Sequence, residues 1–374
     1  MKTNENKIVL RWLFSSLLSS LYLGVVATPL VLAQTNPSSQ TQLSIELDEL
    51  LIQGQKYVEN QEYEKALVVY EQAATIDEGN PRIFSGIGYL QATLGNYSAA
   101  TEAYSRAIAL QPDNPEFYYA LGYSLGNNGN NKQAIEAYEM AITLAPEKIT
   151  NYLGLAIVLL REQQYDRAID TYYRINSIAP GDREAQSIMV TALIAQERYP
   201  EAIIFLRTAI AQSPNNSQLH LQLATLFIRQ QDIALALDTL KEAQRLDPNN
   251  ELVYYHIAKV MQSQGDEAGA LNLYKQALAI KPDFAEAQAQ IGKIFLDGQN
   301  YIQATITYRR LIELTPDNAI AYHNLGIALS ERGRPSEAIA AWQKAIQLYQ
   351  AQGNLAEAED LTVFLEQLKD NNQS

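Results

Sequence analysis

The 374-residue chain contains no cysteine, which excludes disulfides, thiolate catalysis, Cys-ligated zinc and Cys-linked lipid. Histidine is almost as scarce. His220, His256 and His323 stand far apart in the sequence, which argues against a His-built metal centre. Basic residues are the minority, with 28 Lys and Arg against 42 Asp and Glu and a net charge of −14. Lys2, Lys7, Arg11 and Glu5 contribute +2 within residues 1–33, leaving −16 on the remainder. Affinity for phosphate backbones comes from Lys and Arg displacing counterions, so nucleic acid is not an expected partner. No glycine-rich phosphate loop, paired-His spacing or nucleophile setting occurs, and the chain is not expected to be an enzyme.

A long apolar run occurs only near the N-terminus. Lys2, Lys7 and Arg11 precede the run Trp12–Ala33, which closes on Val31-Leu32-Ala33 before a polar stretch. That pattern predicts an export signal over 1–33, cut after Ala33 so that the mature chain begins at Gln34. An uncleaved anchor is the alternative, because the run approaches the roughly 20 residues that span a bilayer. Ser15, Ser16, Ser19, Ser20 and Pro29 dilute it. No transmembrane segment is expected in the mature chain, and export to the periplasm is the expected localisation. The thylakoid lumen, or a membrane-anchored form, is the alternative. Residues 34–46 read as a disordered polar linker.

From there the chain repeats itself every 34 residues. Pro112, Pro146, Pro180, Pro214, Pro248, Pro282 and Pro316 share that step, and so do Ala66, Ala100, Ala134, Ala168, Ala202, Ala236, Ala270, Ala304 and Ala338. A third series is Tyr70, Tyr104, Tyr138, Tyr172, Leu206, Leu240, Tyr274, Tyr308 and Trp342. Three residue types in one register define a repeat array. Each unit holds two apolar-periodic segments joined by a turn such as Gly95-Asn96, where the left-handed conformation ends a helix. The Ala series, and the facing small residues Gly54, Gly88, Gly122, Ala156, Ala224, Ala258, Gly292 and Gly326, let paired helices approach closely. The aromatic four residues after each Ala is expected to fill the gap between units. Asp, Asn or Glu beside each proline is expected to help cap the next helix, and for the acidic residues there, including Asp113, Glu147, Asp182, Asp283 and Asp317, capping is the reading preferred over cation binding.

These series resemble the tetratricopeptide repeat (TPR) family. The resemblance implies an all-α fold: a right-handed superhelical α-solenoid of nine TPR helix pairs over 47–352, with a C-terminal capping helix and tail over 353–374. Leu355, Leu361, Leu365 and Leu368 are expected on the packed side of that cap. Unit five, 183–216, departs from the pattern at Gln186, Met189 and Val190. Val190 is expected to widen its helix crossing and make it the softest joint.

Sixteen of the 23 tyrosines fall on framework positions. Tyr89, Tyr119, Tyr123 and Tyr255 do not; they lie on the inner side of the first helices, where they are candidate partner-binding residues. Arg161, Arg229, Lys259 and Lys293 project to the same side, followed by His323, and in so acidic a chain they are placed to receive a carboxylate or acidic peptide. Pairing of each Lys with a nearby Glu is the plainer alternative. The carboxylate clamp known in the family needs Lys and Asn residues that are absent here.

A long groove without reactive groups implies an exported scaffold or assembly factor that docks a protein or peptide segment, including one belonging to a membrane complex. The whole-chain layout is similar to that of the processing-associated TPR proteins of cyanobacteria. That similarity implies photosystem II assembly, binding of the precursor D1 tail, and manganese as cargo, with ligands unknown; no cofactor is otherwise required. The rival classes are a general envelope scaffold for polysaccharide export or pilus biogenesis, and an acidic metal-buffering protein.

Overall fold

The structure is a computed structural model describing residues 39–371, so the expected signal, residues 1–33, lies outside the described residues. Nineteen α-helices and no strand occur among them. The chain divides into two compact units at Ala202/Ile203, inside repeat five. The first contains α1 (Ser39–Glu59), α2 (Tyr63–Ile76), α3 (Pro81–Thr93), α4 (Tyr97–Leu110), α5 (Pro115–Asn127), α6 (Asn131–Leu144), α7 (Ile149–Arg161), α8 (Tyr165–Ile178), α9 (Arg183–Ala195) and the start of α10 (Tyr199–Gln212). The second continues with α11 (Ser217–Arg229), α12 (Ile233–Leu246), α13 (Glu251–Ser263), α14 (Glu267–Ile280), α15 (Ala285–Asp297), α16 (Tyr301–Leu314), α17 (Ala319–Glu331), α18 (Pro335–Ala351) and α19 (Leu355–Asn371). Consecutive helices pack in pairs, giving an all-α repeat solenoid.

Helix α1 starts at Ser39, inside the stretch expected as a linker. The side chains of 42–46 are all exposed, so that stretch of α1 is solvated rather than packed. Five of the first helices begin on an asparagine. Asn80, Asn114, Asn216, Asn250 and Asn318 accept N–H bonds from Arg82, Glu116, Gln218, Leu252 and Ala321 at 3.0–3.1 Å. Of the acids expected as caps only Asp182 acts so, accepting from Ala185 at 2.9 Å. Asp113, Glu147, Asp283 and Asp317 each stand one residue before the capping position, where a side-chain oxygen cannot serve the first turn in the same way. The repeat prolines are used through their carbonyls: Tyr152 and Tyr254 donate to Pro146 and Pro248 at 3.0 Å, and His220 pairs with Pro214 at 3.1 Å.

Within every pair the turn passes through one left-handed residue, again 34 apart. Gln61, Gln163, Glu197, Gln231 and Gln299 adopt it at φ 57–62°, and Gly95, Gly129, Gly265 and Gly333 at 68–86°. All nine alanines of the Ala series are fully buried. Tyr70 and Tyr138 explain the facing glycines. A Cβ built on Gly54 or Gly86 would lie 2.7 Å from the Tyr70 ring, and one on Gly122 or Gly154 would lie 3.1 or 2.4 Å from Tyr138. Each ring is therefore a wedge between its own repeat and the next.

Val190 is buried at 3 %, and at the aromatic register of its repeat stands Leu206, smaller than the usual ring. On the cap, Ala358, Leu361 and Leu365 are buried, whereas Leu355 is 66 % exposed. Leu355 is the first helical residue, and side chains there lean past the helix N-terminus. The side chain of Leu368 lies outside the described residues.

Candidate functional site

In the first unit, Tyr119, Tyr123 and Arg161 meet around one cavity of about 180 Å³ between α5 and α7. Tyr119 and Tyr123 stand four residues apart on α5, one turn above the other, each 9 % exposed. Tyr119 meets Tyr138 edge-on at 5.6 Å, and Tyr123 meets Tyr97 edge-on at 6.4 Å. Burial drives the Tyr119 phenol up to about 12 and the Tyr123 phenol higher still, so both are neutral hydroxyls. Leu153, Ile157, Val158 and Gly154 form the apolar wall. The hydroxyl of Thr150, a lining residue, is buried without a hydrogen-bond partner; that of Tyr123 is buried beside Tyr97 without a well-formed bond.

Arg161 is the last residue of α7 and is exposed. Its Nη1 donates to the carbonyl of Gly126 at 3.0 Å, holding the guanidinium at the cavity edge. Glu184 lines the rim beside Tyr119. Sequence reasoning missed Gly126, Thr150, Ile157 and Glu184. A signal for Gly126 was present, because Leu160, Ile194, Ile228 and Leu296 stand at its register in other repeats.

In the second unit, Tyr255 is half-buried on α13 and packs against Phe284 at 5.2 Å and Tyr274 at 5.7 Å. The Lys259 ammonium lies over its ring at 5.8 Å, a cation–π contact. His256 beside it is depressed to about 4, first by burial and then by Lys259, and is neutral at pH 7. Lys293 stands one repeat after Lys259 on α15 and is exposed; Arg229 ends α11, also exposed.

Two expected residues are placed otherwise. Tyr89 is 5 % exposed, so it presents almost no surface to a partner. His323 is half-buried; its Nδ1 lies 3.4 Å from the Tyr349 hydroxyl, and its carbonyl accepts from Trp342 Nε1 at 3.1 Å. Those contacts give it a packing role in the last repeat.

Arg161, Arg229, Lys259 and Lys293 form no ion pair among the described residues. Cations elsewhere do pair from repeat to repeat, as in Lys148–Glu116 at 2.9 Å, Arg167–Glu139 at 2.6 Å and Arg309–Glu337 at 2.8 Å. No three His, Asp or Glu side chains converge on a possible ion site among the described residues. No described helix is long and apolar enough to cross a membrane.

Paired helices on a 34-residue step, with a side-chain-lined face and an unpaired set of cations, define a helical-repeat protein-binding scaffold. More particularly, the chain belongs to the tetratricopeptide repeat family. Models described as TPR repeat match 54–95 and 92–129, and models described as tetratricopeptide repeat match 119–183, 193–260, 252–284, 285–318 and 307–340. No curated protein matches the chain. Among solved structures it is similar to a tetratricopeptide repeat protein from Parabacteroides merdae ATCC 43184, with 15% identity, 67% of this chain and 98% of that one covered, and a TM-score of 0.53. It is also similar to PilF of Pseudomonas aeruginosa (20% identity, 55% and 94% covered, TM-score 0.43). YrrB, a TPR protein with an unusual peptide-binding site, overlaps at 20% identity over 50% and 96%, with a TM-score of 0.36. The first likeness is one of fold; the other two are too loose to carry more.

Proposed function

We propose that this chain is an exported scaffold that holds an acidic polypeptide segment against the first helices of its repeats. The observation that carries this reading is that exposed cations on first helices, Arg161 in the first unit and, separately, Arg229, Lys259 and Lys293 in the second, form no ion pair among the described residues, in a chain whose net charge is −14. Other cations without an ion pair, such as Lys132, Arg174 and Lys344, lie on second helices; what recommends these four is their place on first helices of an acidic chain, and tyrosines beside two of them add apolar area. The N-terminal pattern supports export. Its layout likeness to the processing-associated protein PratA makes a photosystem II assembly step, with the precursor D1 tail as the segment, the particular form of the proposal.

The test is capture from envelope extract by the parent and by Lys259→Glu/Lys293→Glu. Neither residue is a framework position, so the variant should fold. Capture should fall, and fall less at high salt, where the charge contribution is already screened. Equal capture by both proteins would remove the reading. Precursor D1 in the captured set would support the photosystem form; export or pilus components would replace it with the general envelope scaffold.

A further inference from the structure

Gly126 lies inside α5, where glycine is a poorer helix residue than alanine. Its neighbours Gly122 and Gly154 have a reason to lack a side chain, since each faces the Tyr138 ring. Gly126 has none: a Cβ there would meet Val158 at 3.4 Å, Ala134 at 3.7 Å and Arg161 Nη1 at 3.8 Å, all ordinary contacts. Five of the other repeats put Leu, Ile or Val at this position, Val58, Leu160, Ile194, Ile228 and Leu296, and the rest have Ala92, Gln262 and Ser330. Packing therefore does not require the glycine, and what it leaves behind is the cavity beside Arg161.

Three features converge on that space. The guanidinium is held by the Gly126 carbonyl through one N–H and forms no ion pair among the described residues with its others. Tyr123, nine-tenths buried, and Thr150 bring hydroxyls without well-formed partners to the lining. Leu153 and Ile157 supply an apolar wall of a length suited to methylenes. Resting on the reading that the first helices dock an acidic segment, we propose that the α5–α7 cavity is its anchor pocket and takes one glutamate side chain. The stem lies along Leu153 and Ile157, and the carboxylate accepts from Arg161, with the Tyr123 and Thr150 hydroxyls as further donors. Glu184, the acid among the lining residues, lies at the rim beside Tyr119 and is the like charge that these donors must offset. Buried polar groups that are unpaired in the free protein favour the ligand that pairs them and discriminate against one that does not.

N-acetyl-glutamate N-methylamide is the probe, because both its ends are capped and only the side-chain carboxylate is left. Its glutamine analogue is the neutral control. Methyl NMR of the full chain, with Leu153, Ile157 and Val158 as reporters, should show saturable shifts for the glutamate probe and binding weaker by about tenfold or more for the control, the scale of a hydrogen bond to a charged group. Arg161→Gln should abolish that preference. Gly126→Ala, which the surrounding space accepts, should melt no lower than the parent and yet bind the probe several-fold less. Equal binding of the two probes, absence of shifts at the reporters, or unchanged binding in both variants would overturn the pocket. If Lys259→Glu/Lys293→Glu still loses its captured partner in that case, docking stands and only the anchor is wrong. If the pocket passes while capture is unaffected by the double substitution, the anchor stands without the wider charged face.

Discussion

Helices α5 and α17 are the same element of the repeat, and up to a point they are built alike. Gly122 and Gly326 both yield to an aromatic of the following helix, Tyr138 in one case and Trp342 in the other. One turn further on they part. α5 has Gly126 and an open cavity, whereas α17 has Ser330. At the register of Tyr119, α17 carries His323, and its ring and carbonyl are already engaged by Tyr349 and Trp342. The register of Arg161 changes sign along the chain: Arg229 keeps it, while Asp297 and Glu331 reverse it in the last two repeats. Positions that meet the neighbouring helix are fixed by packing. Those that meet solvent are free to differ, and the chemistry of recognition is written there.

The sharpest break in this comparison comes from removing a wedge. Tyr138→Ala would leave the space between Gly122 and Gly154 empty and should cost about 3–5 kcal/mol, read from urea unfolding. A loss below about 1 kcal/mol would mean that the ring fills space without locking the repeats.

His256 offers a test that involves charge. Its ring, held near 4 by burial and then by Lys259, stays neutral while the unfolded chain takes up a proton below about 6.5. Stability should therefore be lost as pH falls from 6.5 toward 4, with no contribution above 6.5, by up to about 3 kcal/mol. His256→Gln, the residue that Gln222 and Gln290 place at this register, should flatten that part of the profile. An unchanged slope would assign acid sensitivity to the carboxylates.

A smaller effect separates the two kinds of glycine. Gly326→Ala puts a Cβ 2.3 Å from Trp342 Nε1 and should cost about 1–3 kcal/mol by overpacking. Gly126→Ala should gain about 0.5–1 kcal/mol from helix propensity. The same sign for both would erase the distinction drawn between α5 and α17.

The 34-residue step made the repeat and its buried alanines legible, because close helix approach tolerates no other residue type as well. Caps were misread by one position. An acid beside proline looks like a cap in sequence, but only the residue immediately before the helix can serve, and that residue is most often Asn. The cavity was half visible. Tyr119, Tyr123 and Arg161 stood out as departures from the framework, yet a void is made by what is missing, and Gly126 carries no chemistry to attract notice. Tyr89 and His323 shared the pattern of the candidate residues; the burial of Tyr89 and the contacts of His323 with Tyr349 and Trp342, which sequence spacing does not encode, gave them packing roles.

The intrahelical-pair turns provide the finest comparison, since repeats with Gly and repeats with Gln adopt one backbone. Gln163 holds φ at 58°, where a Cβ is crowded, while Gly95 and Gly129 reach 84° and 83° without one. Gln163→Gly should thus stabilise the first unit by about 0.5–1 kcal/mol, the relief of left-handed strain less the extra freedom of glycine in the unfolded chain. The reverse change, Gly95→Gln, should cost a similar amount, and the two together should nearly cancel because the turns lie two repeats apart and share no partner. Thermal unfolding of the three variants measures all of this. If Gln163→Gly lowers the melting temperature, then the Gln side chain makes contacts at the turn that outweigh the strain. The five non-glycine turns would then be fastened points of the array rather than tolerated ones.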